Sequence, residues 1–411
     1  MSYTLHCGDC LDIMQAMSGD TYDAVFCDPP YGISFMNRRW DHGVPSVDVW
    51  AEVYRIAKPG AYLLAFGGTR TWHRLAVNIE DAEWELFDTI MYMYGSGFPK
   101  SHNISIAIDK AAGATREVVG SKVGLPGYRN GDTGPHGNAY GNGLSNGNAK
   151  STITAPATPA AAAWDGYGSA LKPSYEPVLC FRKPVDGTYA HNAIAHGCGG
   201  LNIDACRVPM TDGATMARNN KPGDNGWKNS SGGANHAALH GEPAGRWPAN
   251  LIHDSSDEVL ALLPYTETHG RTGSNKNGNP LAKAYDGGWK TTGGTHGSNS
   301  GSAARFFYTA KASKSERNAG IDGSNPHPTV KPLALTEYLA RLILPPSAYR
   351  DTARILIPYA GVGSEAIGAM RAGWQNIDGI ELDAEYCEIN RRRFAHWQTE
   401  ARSVQPALLD V

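Results

Sequence analysis

Residues 354–381 read RILIPYAGVGSEAIGAMRAGWQNIDGIE. The apolar run Arg354–Pro358 predicts a strand, Ser364–Ala372 predicts a helix, and Ile377–Glu381 predicts a second strand. A strand that passes through a Gly-x-Gly turn into a helix lets a ligand approach the backbone closely. The segment therefore predicts an α/β fold with a ligand site at the turn.

The acid at the end of this segment indicates an adenosine-bearing ligand. Glu381 ends the second strand, where its carboxylate can accept hydrogen bonds from ribose hydroxyls. The turn at Gly361 fits a nicotinamide dinucleotide equally well. An NAD-dependent oxidoreductase is therefore an alternative that this segment leaves open.

The flanking residues extend the unit on both sides. Asp383 is placed to cap a C-terminal helix. Leu333–Leu344 carries apolar residues at helical spacing. Before it, Asn325–Pro332 reads NPHPTVKP, a stiff loop that could close over the amino-acid end of a cofactor. By itself such a loop is also typical of the entry to a helix.

The N-terminal hundred residues predict a second α/β block, with strands and helices in alternation. The predicted elements are strand Tyr3–Cys7, helix Leu11–Met17, strand Ala24–Cys27, helix Val47–Ala57, strand Ala61–Phe66 and strand Glu85–Tyr94. We expect one sheet built from both ends of the chain, with the middle inserted between them.

Asp28-Pro29-Pro30-Tyr31-Gly32 directly follows the strand Ala24–Cys27. An exocyclic amine of a nucleobase is a poor nucleophile, and it needs acceptors aimed at its NH2 group when it attacks. Asp28 supplies a carboxylate, Pro29 presents a carbonyl from a rigid turn, and Tyr31 offers a ring on which an extruded base can stack. The motif predicts amine chemistry on a base; the alternative is a strand that ends in a proline turn.

Asp9 follows the first predicted strand. There it could accept a hydrogen bond from an adenine amino group, or it could be a solvent-facing turn aspartate.

The middle of the chain differs in composition. Residues 111–170 and 186–320 are rich in Gly and Asn and poor in large apolar residues, so we expect them to be rich in loops. Between them, Val178–Phe181 predicts a strand.

The bulk composition excludes some classes of protein. A net charge of −3 argues against an indiscriminate nucleic-acid binder, because any basic surface must be local. No apolar stretch is long enough for a membrane helix and no signal peptide precedes the fold, so we expect a cytoplasmic protein. Seven cysteines at irregular spacing indicate free thiols, and Cys7-x-x-Cys10 has no second pair with which to bind zinc, so no metal site is predicted.

Together these motifs resemble the circularly permuted beta group of DNA amino-methyltransferases. In that family a [D/N/S]-PP-[Y/F/W] motif precedes the recognition region and FxGxG follows it, as Asp28–Gly32 and Tyr359–Gly363 do here. Asn325–Pro332 resembles the family's N-x-HPTVKP block, and Lys172–Pro177 resembles its K-P-x-x-E-P segment.

The resemblance implies a Rossmann-like, seven-stranded methyltransferase sheet, circularly permuted, with an inserted target-recognition region. It implies S-adenosyl-L-methionine as cofactor and a flipped base in double-stranded DNA. The implied divisions are 1–100 and 323–411 for the two halves of the methyltransferase domain, 101–185 for an insertion with a late strand, and 186–322 for target recognition. The implied catalytic residues are Asp28, Pro29, Pro30 and Tyr31. The implied cofactor residues are Asp9, His327, Pro328, Thr329, Lys331, Tyr359, Ala360, Gly361, Gly363, Ser364 and Glu381.

Three features of the sequence refine this resemblance. Asp28 favours adenine N6 as the target, because the N4-cytosine enzymes of the family mostly begin the motif with Ser; N4-cytosine remains the alternative. The chain has no Pro-Cys pair, which argues against methylation of cytosine carbon. Ile357 stands where the family usually has an Asp that helps to position the cofactor, so a catalytically silent DNA-binding relative is a further alternative, and Ser364 and Glu365 are candidates to compensate.

A basic segment near three aromatic residues is the best candidate for contact with DNA phosphates, although a solvated basic turn explains it equally well. Its members are Arg305, Lys311, Lys314 and Arg317. Dimers and a companion restriction endonuclease are further partners that the resemblance allows, but nothing in the sequence marks an interface.

Overall fold

A computed structural model describes residues 1–33, 41–95, 97, 101–123, 150–209, 245–268, 299–310, 314–327 and 330–404. The strands are β1 (Ser2–Cys7), β2 (Tyr22–Cys27), β3 (Ala57–Phe66), β4 (Glu85–Met93), β5 (Val118–Val123), β6 (Lys150–Thr154), β7 (Tyr175–Arg182), β8 (Leu251–His253), β9 (Tyr265–Thr268), β10 (Asn299–Ser302), β11 (Tyr308–Thr309), β12 (Arg354–Pro358) and β13 (Asn376–Glu381). The helices are α1 (Cys10–Gln15), α2 (Val47–Ile56), α3 (Trp72–Glu80), α4 (Ile104–Ala111), α5 (Pro159–Ala163), α6 (Tyr189–His196), α7 (Asp257–Leu262), α8 (Lys314–Asn318), α9 (Leu333–Leu342), α10 (Ser364–Ala372) and α11 (Ala384–Val404).

A nine-stranded sheet organises the larger of two compact units, which lies within Met1–Ile33, Gly43–Gly95 and Glu176–Val411. Its strand order is β1-β13-β12-β2-β3-β7-β4-β8-β11. The five strands from β1 to β3 in this order pair in parallel, and β7 runs antiparallel to β3. The prediction of an α/β sheet built from both chain ends is confirmed.

Two strands extend the sheet beyond the seven that the family resemblance implied. β8 pairs in parallel with β4, and β11 pairs in parallel with β8. Both come from the region expected to be loop-rich, and they are three and two residues long. Strands so short carry almost no alternating pattern, which explains why the sequence did not predict them.

Helices cover both faces of the sheet. Along β2, Ala24 and Phe26 face one apolar cluster, which includes buried residues of α9 and α10. Val25 and Cys27 face the other cluster, which includes buried residues of α1, α2 and α3. All six residues of β2 are buried, as is usual for a parallel strand between two helical layers.

The smaller unit lies within Ser34–His42 and Ser96–Tyr175. Its described part contains α4, α5 and the antiparallel pair β5–β6. Buried Asp109 forms its polar centre: the carboxylate pairs with Arg116 at 2.5 Å and accepts hydrogen bonds from Thr158 and from the backbone N–H of Ala157. The loop-rich expectation for 111–170 was therefore wrong where β5, β6 and α5 form, and residues 124–149 lie outside the described residues.

Most predicted elements appear within a few residues of their expected bounds, and Arg354–Pro358 and Ser364–Ala372 appear with the bounds expected. β3 begins four residues before the predicted Ala61, so residues predicted to close α2 belong to the strand. Helices α3, α4, α5, α6, α7 and α8 were not predicted. No helix among the described residues combines the length and the apolar composition that crossing a bilayer requires.

The expectation of free thiols was wrong for one pair. Cys7 and Cys387 form a disulfide across 380 residues of sequence, while Cys10, Cys27, Cys180, Cys198 and Cys206 are free and buried. β1 pairs with β13, and α11 follows β13, so the sheet brings the two cysteines together. Their sequence spacing could not indicate this.

The contact between α9 and α10 depends on Gly368. A Cβ at this position would lie 2.6 Å from the backbone carbonyl carbon of Thr336, which cannot rotate away. We expect Gly368→Ala to lower the free energy of unfolding by about 1–3 kcal/mol, because overpacking outweighs the gain of at most about 1 kcal/mol in helix propensity. Urea denaturation measures the change. Gly200→Ala is the control, since its Cβ would meet nothing within 4 Å; an equal loss in both variants would contradict the packing argument.

Candidate active site

The candidate site lies at one edge of the sheet. β1, β13, β12, β2 and β3 are parallel, so their carboxyl ends share that edge. β7 runs antiparallel to β3 and therefore presents its amino end there, with Gly67 N–H bonded to the Pro177 carbonyl. Residues at the carboxyl ends of five strands and at the amino end of a sixth are thereby brought together.

The Asp28 motif is tied to two distant segments. Lys331 Nζ lies 2.9 Å from Asp28 Oδ2 and 3.1 Å from Glu176 Oε2. It also donates to Tyr31 Oη at 3.0 Å, and the Tyr31 hydroxyl donates to Asp28 Oδ1 at 2.9 Å. We call these four residues the catalytic cluster. Lys331, expected at the cofactor, thus contacts the Asp28 motif directly.

Because the catalytic cluster is buried, the charges of its side chains strongly affect one another's pKa values. Lys331 is only 7% exposed, and its Nζ lies 4.5 Å from the centre of the Phe66 ring. Burial alone would lower the pKa of the Lys331 ammonium, but the Asp28 and Glu176 carboxylates outweigh it and raise that pKa well above its ordinary value. Burial and the same two carboxylates raise the pKa of Tyr31, so its phenol stays neutral and can donate to Asp28.

The Gly-x-Gly turn follows β12 at the same edge. Tyr359, Gly361 and Gly363 have φ values of 61°, 49° and 89°, so the chain passes through left-handed conformations on its way into α10. Gly361 N–H donates to Glu381 Oε2 at 2.8 Å, and Asp383 N–H donates to Glu381 Oε1 at 2.8 Å. Burial raises the pKa of Glu381, while these two donors favour its ionised form.

Helix α11 binds the carbonyls of this turn. Asn390 Nδ2 donates to the carbonyls of Ala360 and Gly361 at 3.3 and 3.1 Å, and Arg393 Nη1 donates to the Val362 carbonyl at 2.5 Å. Asn390 in turn accepts from the Tyr3 hydroxyl at 2.7 Å. Sequence reasoning treated α11 only as a packing helix, because a polar residue on an amphipathic helix does not reveal its partner.

The Pro-rich loop reaches the turn through His327. The His327 ring packs edge-on against Tyr386 at 4.8 Å, and a Cβ at Gly361 would lie 3.6 Å from His327 Nε2. The His327 carbonyl accepts from Arg317 at 2.6 Å. The predicted cofactor residues Pro328 and Thr329 lie outside the described residues.

The remaining predicted cofactor residues occupy different surroundings. Asp9 follows β1 and caps α1, because its carboxylate accepts from the backbone N–H of Leu11 at 2.8 Å. Ser364 and Glu365 begin α10 and are both buried. Pro29 and Pro30 continue from β2 between Cys27 and Tyr31.

The basic segment is only partly described. Arg305 donates to the Ser302 carbonyl at 2.8 Å and lies over the Phe306 ring at 4.3 Å. Arg317 is exposed and bonds to the His327 loop. Lys314 begins α8, whereas Lys311 lies outside the described residues. Contact of this segment with DNA remains a prediction.

A nucleoside cofactor with an amino-acid tail fits the groups at this edge. Each Glu381 oxygen accepts one backbone N–H and keeps further lone-pair capacity for a ribose hydroxyl. Among the described residues, Ser364 Oγ and Glu365 Oε1 are buried without a hydrogen-bond partner. Buried polar atoms are normally satisfied, so these two indicate a ligand with complementary groups.

A family model described as DNA methylase, for the N6/N4 group, matches residues 22–392. The chain belongs to this DNA methylase family. It is therefore a DNA methyltransferase that acts on an exocyclic amine, either adenine N6 or cytosine N4, and the methyl donor of the family is S-adenosylmethionine. The match decides between the cofactor classes that the Gly-x-Gly turn alone left open.

The methyltransferase is similar to three solved structures at low identity. A provisionally assigned DNA modification methylase from Thermus thermophilus is 13% identical, with 96% of this chain and 95% of that chain covered and a TM-score of 0.40. The M1.HpyAVI–SAM complex is 13% identical, with 95% and 100% covered and a TM-score of 0.37. PvuII DNA methyltransferase, described as cytosine-N4-specific, is 12% identical, with 96% and 86% covered and a TM-score of 0.39.

Removing the Lys331 ammonium from the catalytic cluster should greatly lower the stability of the fold. Lys331→Met leaves Asp28 and Glu176 buried without their cation, so we expect the free energy of unfolding to fall by about 3–5 kcal/mol. Equilibrium denaturation at pH 7 measures this loss. Adding Glu176→Gln to Lys331→Met should recover part of it, because one uncompensated carboxylate is removed. Strictly additive losses would show that the two side chains are not coupled.

Proposed function

We propose that this DNA methyltransferase transfers a methyl group to adenine N6 within a specific sequence of double-stranded DNA. The observation that carries the proposal is the placement of Asp28. Its carboxylate follows β2, is held by Lys331 and Tyr31, and lies at the sheet edge that also carries the Gly361 turn.

The catalytic cluster can orient an amine. Asp28 Oδ1 accepts one hydrogen bond from Tyr31 and Oδ2 accepts one from Lys331, so each oxygen retains a lone pair for an N–H of the substrate. Holding those N–H protons directs the nitrogen lone pair out of conjugation with the ring as it forms its new bond. Bound S-adenosylmethionine supplies the electrophilic methyl group.

Lys331 has two roles in this arrangement. Its ammonium pairs with Asp28 Oδ2 at 2.9 Å and holds in place a carboxylate that is only 16% exposed. Its bond to Tyr31 also fixes the orientation of that ring, which Gly68 borders. A fixed aromatic ring beside a carboxylate provides a stacking surface for a flipped base.

Asp28 supports adenine over cytosine. The N4-cytosine members of the beta group mostly carry Ser at this place, where a hydroxyl rather than a carboxylate faces the amine. N4-cytosine is the competing target, since both bases present the same NH2 group. Double-stranded DNA as partner implies base flipping, because the amine is otherwise paired in the duplex. We place the reaction in the cytoplasm of a bacterial or phage-infected cell.

The product identifies the target. The protein is incubated with isotopically labelled S-adenosylmethionine and unmethylated DNA of varied sequence, and the DNA is then digested to nucleosides for mass spectrometry. Labelled N6-methyldeoxyadenosine is the expected product. Labelled N4-methyldeoxycytidine would show that the target is cytosine, which contradicts the choice of adenine but not the methylation of an amine. A folded protein that labels no DNA would contradict the proposal as a whole.

Asp28→Asn tests the role of the carboxylate. We expect the rate of transfer to fall about a hundredfold or more, because the neutral amide does not offset the positive charge that develops on the attacking nitrogen and its NH2 group would face the Lys331 ammonium. The affinity for S-adenosylhomocysteine, measured by calorimetry, should stay within about twofold, since Glu381 and the Gly361 turn are untouched. Asp88→Asn is the matched control. Asp88 lies on β4 and bonds to Asn250, so the rate of methyl transfer by this variant should equal that of the wild type. A parallel loss of cofactor binding in Asp28→Asn would make Asp28 structural.

A further inference from the structure

Glu365 is an ionisable side chain buried beside the Gly-x-Gly turn, where its own backbone N–H bonds to the carboxylate but, among the described residues, Oε1 has no hydrogen-bond donor. It is the second residue of α10, two positions after Gly363, and it is only 4% exposed. Within the part of the chain that the structure describes, its Oε1 has no hydrogen-bond donor, and the same holds for Oγ of Ser364. A helix of nine residues thus begins with two unsatisfied oxygens at the cofactor turn.

The two cations near Glu365 are engaged with other groups. Lys331 is bonded to Asp28, Glu176 and Tyr31. Arg393 donates through its two Nη atoms to the carbonyls of Val362 and Glu316, while its Nε is buried without a hydrogen-bond partner among the described residues. Neither of them forms an ion pair with Glu365, so within the described ranges its carboxylate lacks a bonded cation.

Burial and a nearby negative charge disfavour the ionised form of Glu365 when no ligand cation is bound. Burial, and then the negative charge of Asp28, raise the pKa of Glu365 to about 7, and Lys331 and Arg393 only partly oppose them. Cys27 and Tyr3, the other titratable groups that face Glu365, have pKa values raised chiefly by burial and stay neutral. A ligand cation beside Glu365 would favour its ionised form.

Strand β12, which leads into the Gly-x-Gly turn, carries no acidic residue that could bind a ligand cation. Ile357, at the position where the resemblance led us to expect Asp, is fully buried in the apolar cluster that includes α9 and α10. The carboxylates of Glu381 and Asp9 accept backbone N–H groups at the ends of other strands. Glu365 is thus the carboxylate of this edge that lies next to both the Gly-x-Gly turn and Asp28.

We propose that Glu365 binds the α-ammonium group of the methionine moiety of S-adenosylmethionine. The proposal rests on the proposed function and identifies the residue that recognises the amino-acid end of its cofactor. An ammonium donates up to three hydrogen bonds, so it can satisfy Glu365 Oε1 and supply the missing positive charge together. Proximity to Asp28 places this end of the cofactor near the catalytic cluster, while Glu381 serves the ribose.

Two ligands separate recognition of the ammonium from recognition of the nucleoside. S-adenosylhomocysteine carries the amino-acid group, and 5′-methylthioadenosine lacks it. By calorimetry on the full chain, Glu365→Gln should weaken S-adenosylhomocysteine about tenfold and leave 5′-methylthioadenosine unchanged. Glu337→Gln is the matched control, because Glu337 on α9 pairs with Arg341 and Arg371, and both affinities should stay as in the wild type.

Proton release provides a second readout. Binding of S-adenosylhomocysteine near pH 7 should release a fraction of a proton from wild-type Glu365, measured as a dependence of the binding enthalpy on the buffer, and Glu365→Gln should release less. The folded state holds this proton to higher pH than the unfolded chain does. The unfolding free energy should therefore fall as pH rises from about 4.5 to about 7, and Glu365→Gln should remove that part of the dependence.

The outcomes are distinguishable. Equal weakening of both ligands, or no change for S-adenosylhomocysteine, overturns the assignment of Glu365 while the proposed function stands. If Glu365→Gln weakens binding of S-adenosylmethionine but not of S-adenosylhomocysteine, Glu365 recognises the sulfonium, and this result also overturns the assignment to the α-ammonium. A folded wild-type protein that binds neither S-adenosylhomocysteine nor S-adenosylmethionine overturns both proposals. If Glu365→Gln does not fold, Glu365→Thr gives the same comparison.

Discussion

Strand β12 hydrogen-bonds to β13 on one side and to β2 on the other, and this pairing joins the two ends of the chain into one sheet. The pairing is parallel, so the carboxyl ends of all three strands meet at one edge. Asp28 follows β2, the Gly361 turn follows β12, and Glu381 ends β13. A break in this register would separate the Asp28 motif from the Gly361 turn, although each motif could still form locally.

Electrostatics then distinguishes two kinds of buried acid at that edge. Asp28 and Glu176 share the ammonium of Lys331, and the desolvation of three charges is offset by close contacts within the protein. Glu365 lies near the same charges but receives no such contact from the described residues. Asp28 and Glu176 therefore have their cation before any ligand binds, whereas Glu365 is suited to a cation that is part of the ligand.

Support for the turn comes from the final helix. Asn390 and Arg393 donate to three successive carbonyls, so the left-handed backbone of the turn is held in place by side chains of α11. The disulfide between Cys7 and Cys387 joins the first strand to the same helix. The cofactor turn thus depends on a helix that contributes no recognisable motif of its own.

The sequence by itself determined most of the sheet's longer strands, the helices with a clear apolar spacing, and the chemistry that they carry. Residues 354–381 predicted their strand, helix and strand because the hydrophobic period changes where the structure changes, and Asp28–Gly32 predicted amine chemistry from the residue types alone. Only the tertiary structure decided which groups meet. Lys331 lies between Asp28 and Glu176 because strand pairing places segments hundreds of residues apart at one edge, and no local spacing encodes such a contact. For the same reason only the structure shows that Glu365 Oε1 has no hydrogen-bond donor among the described residues.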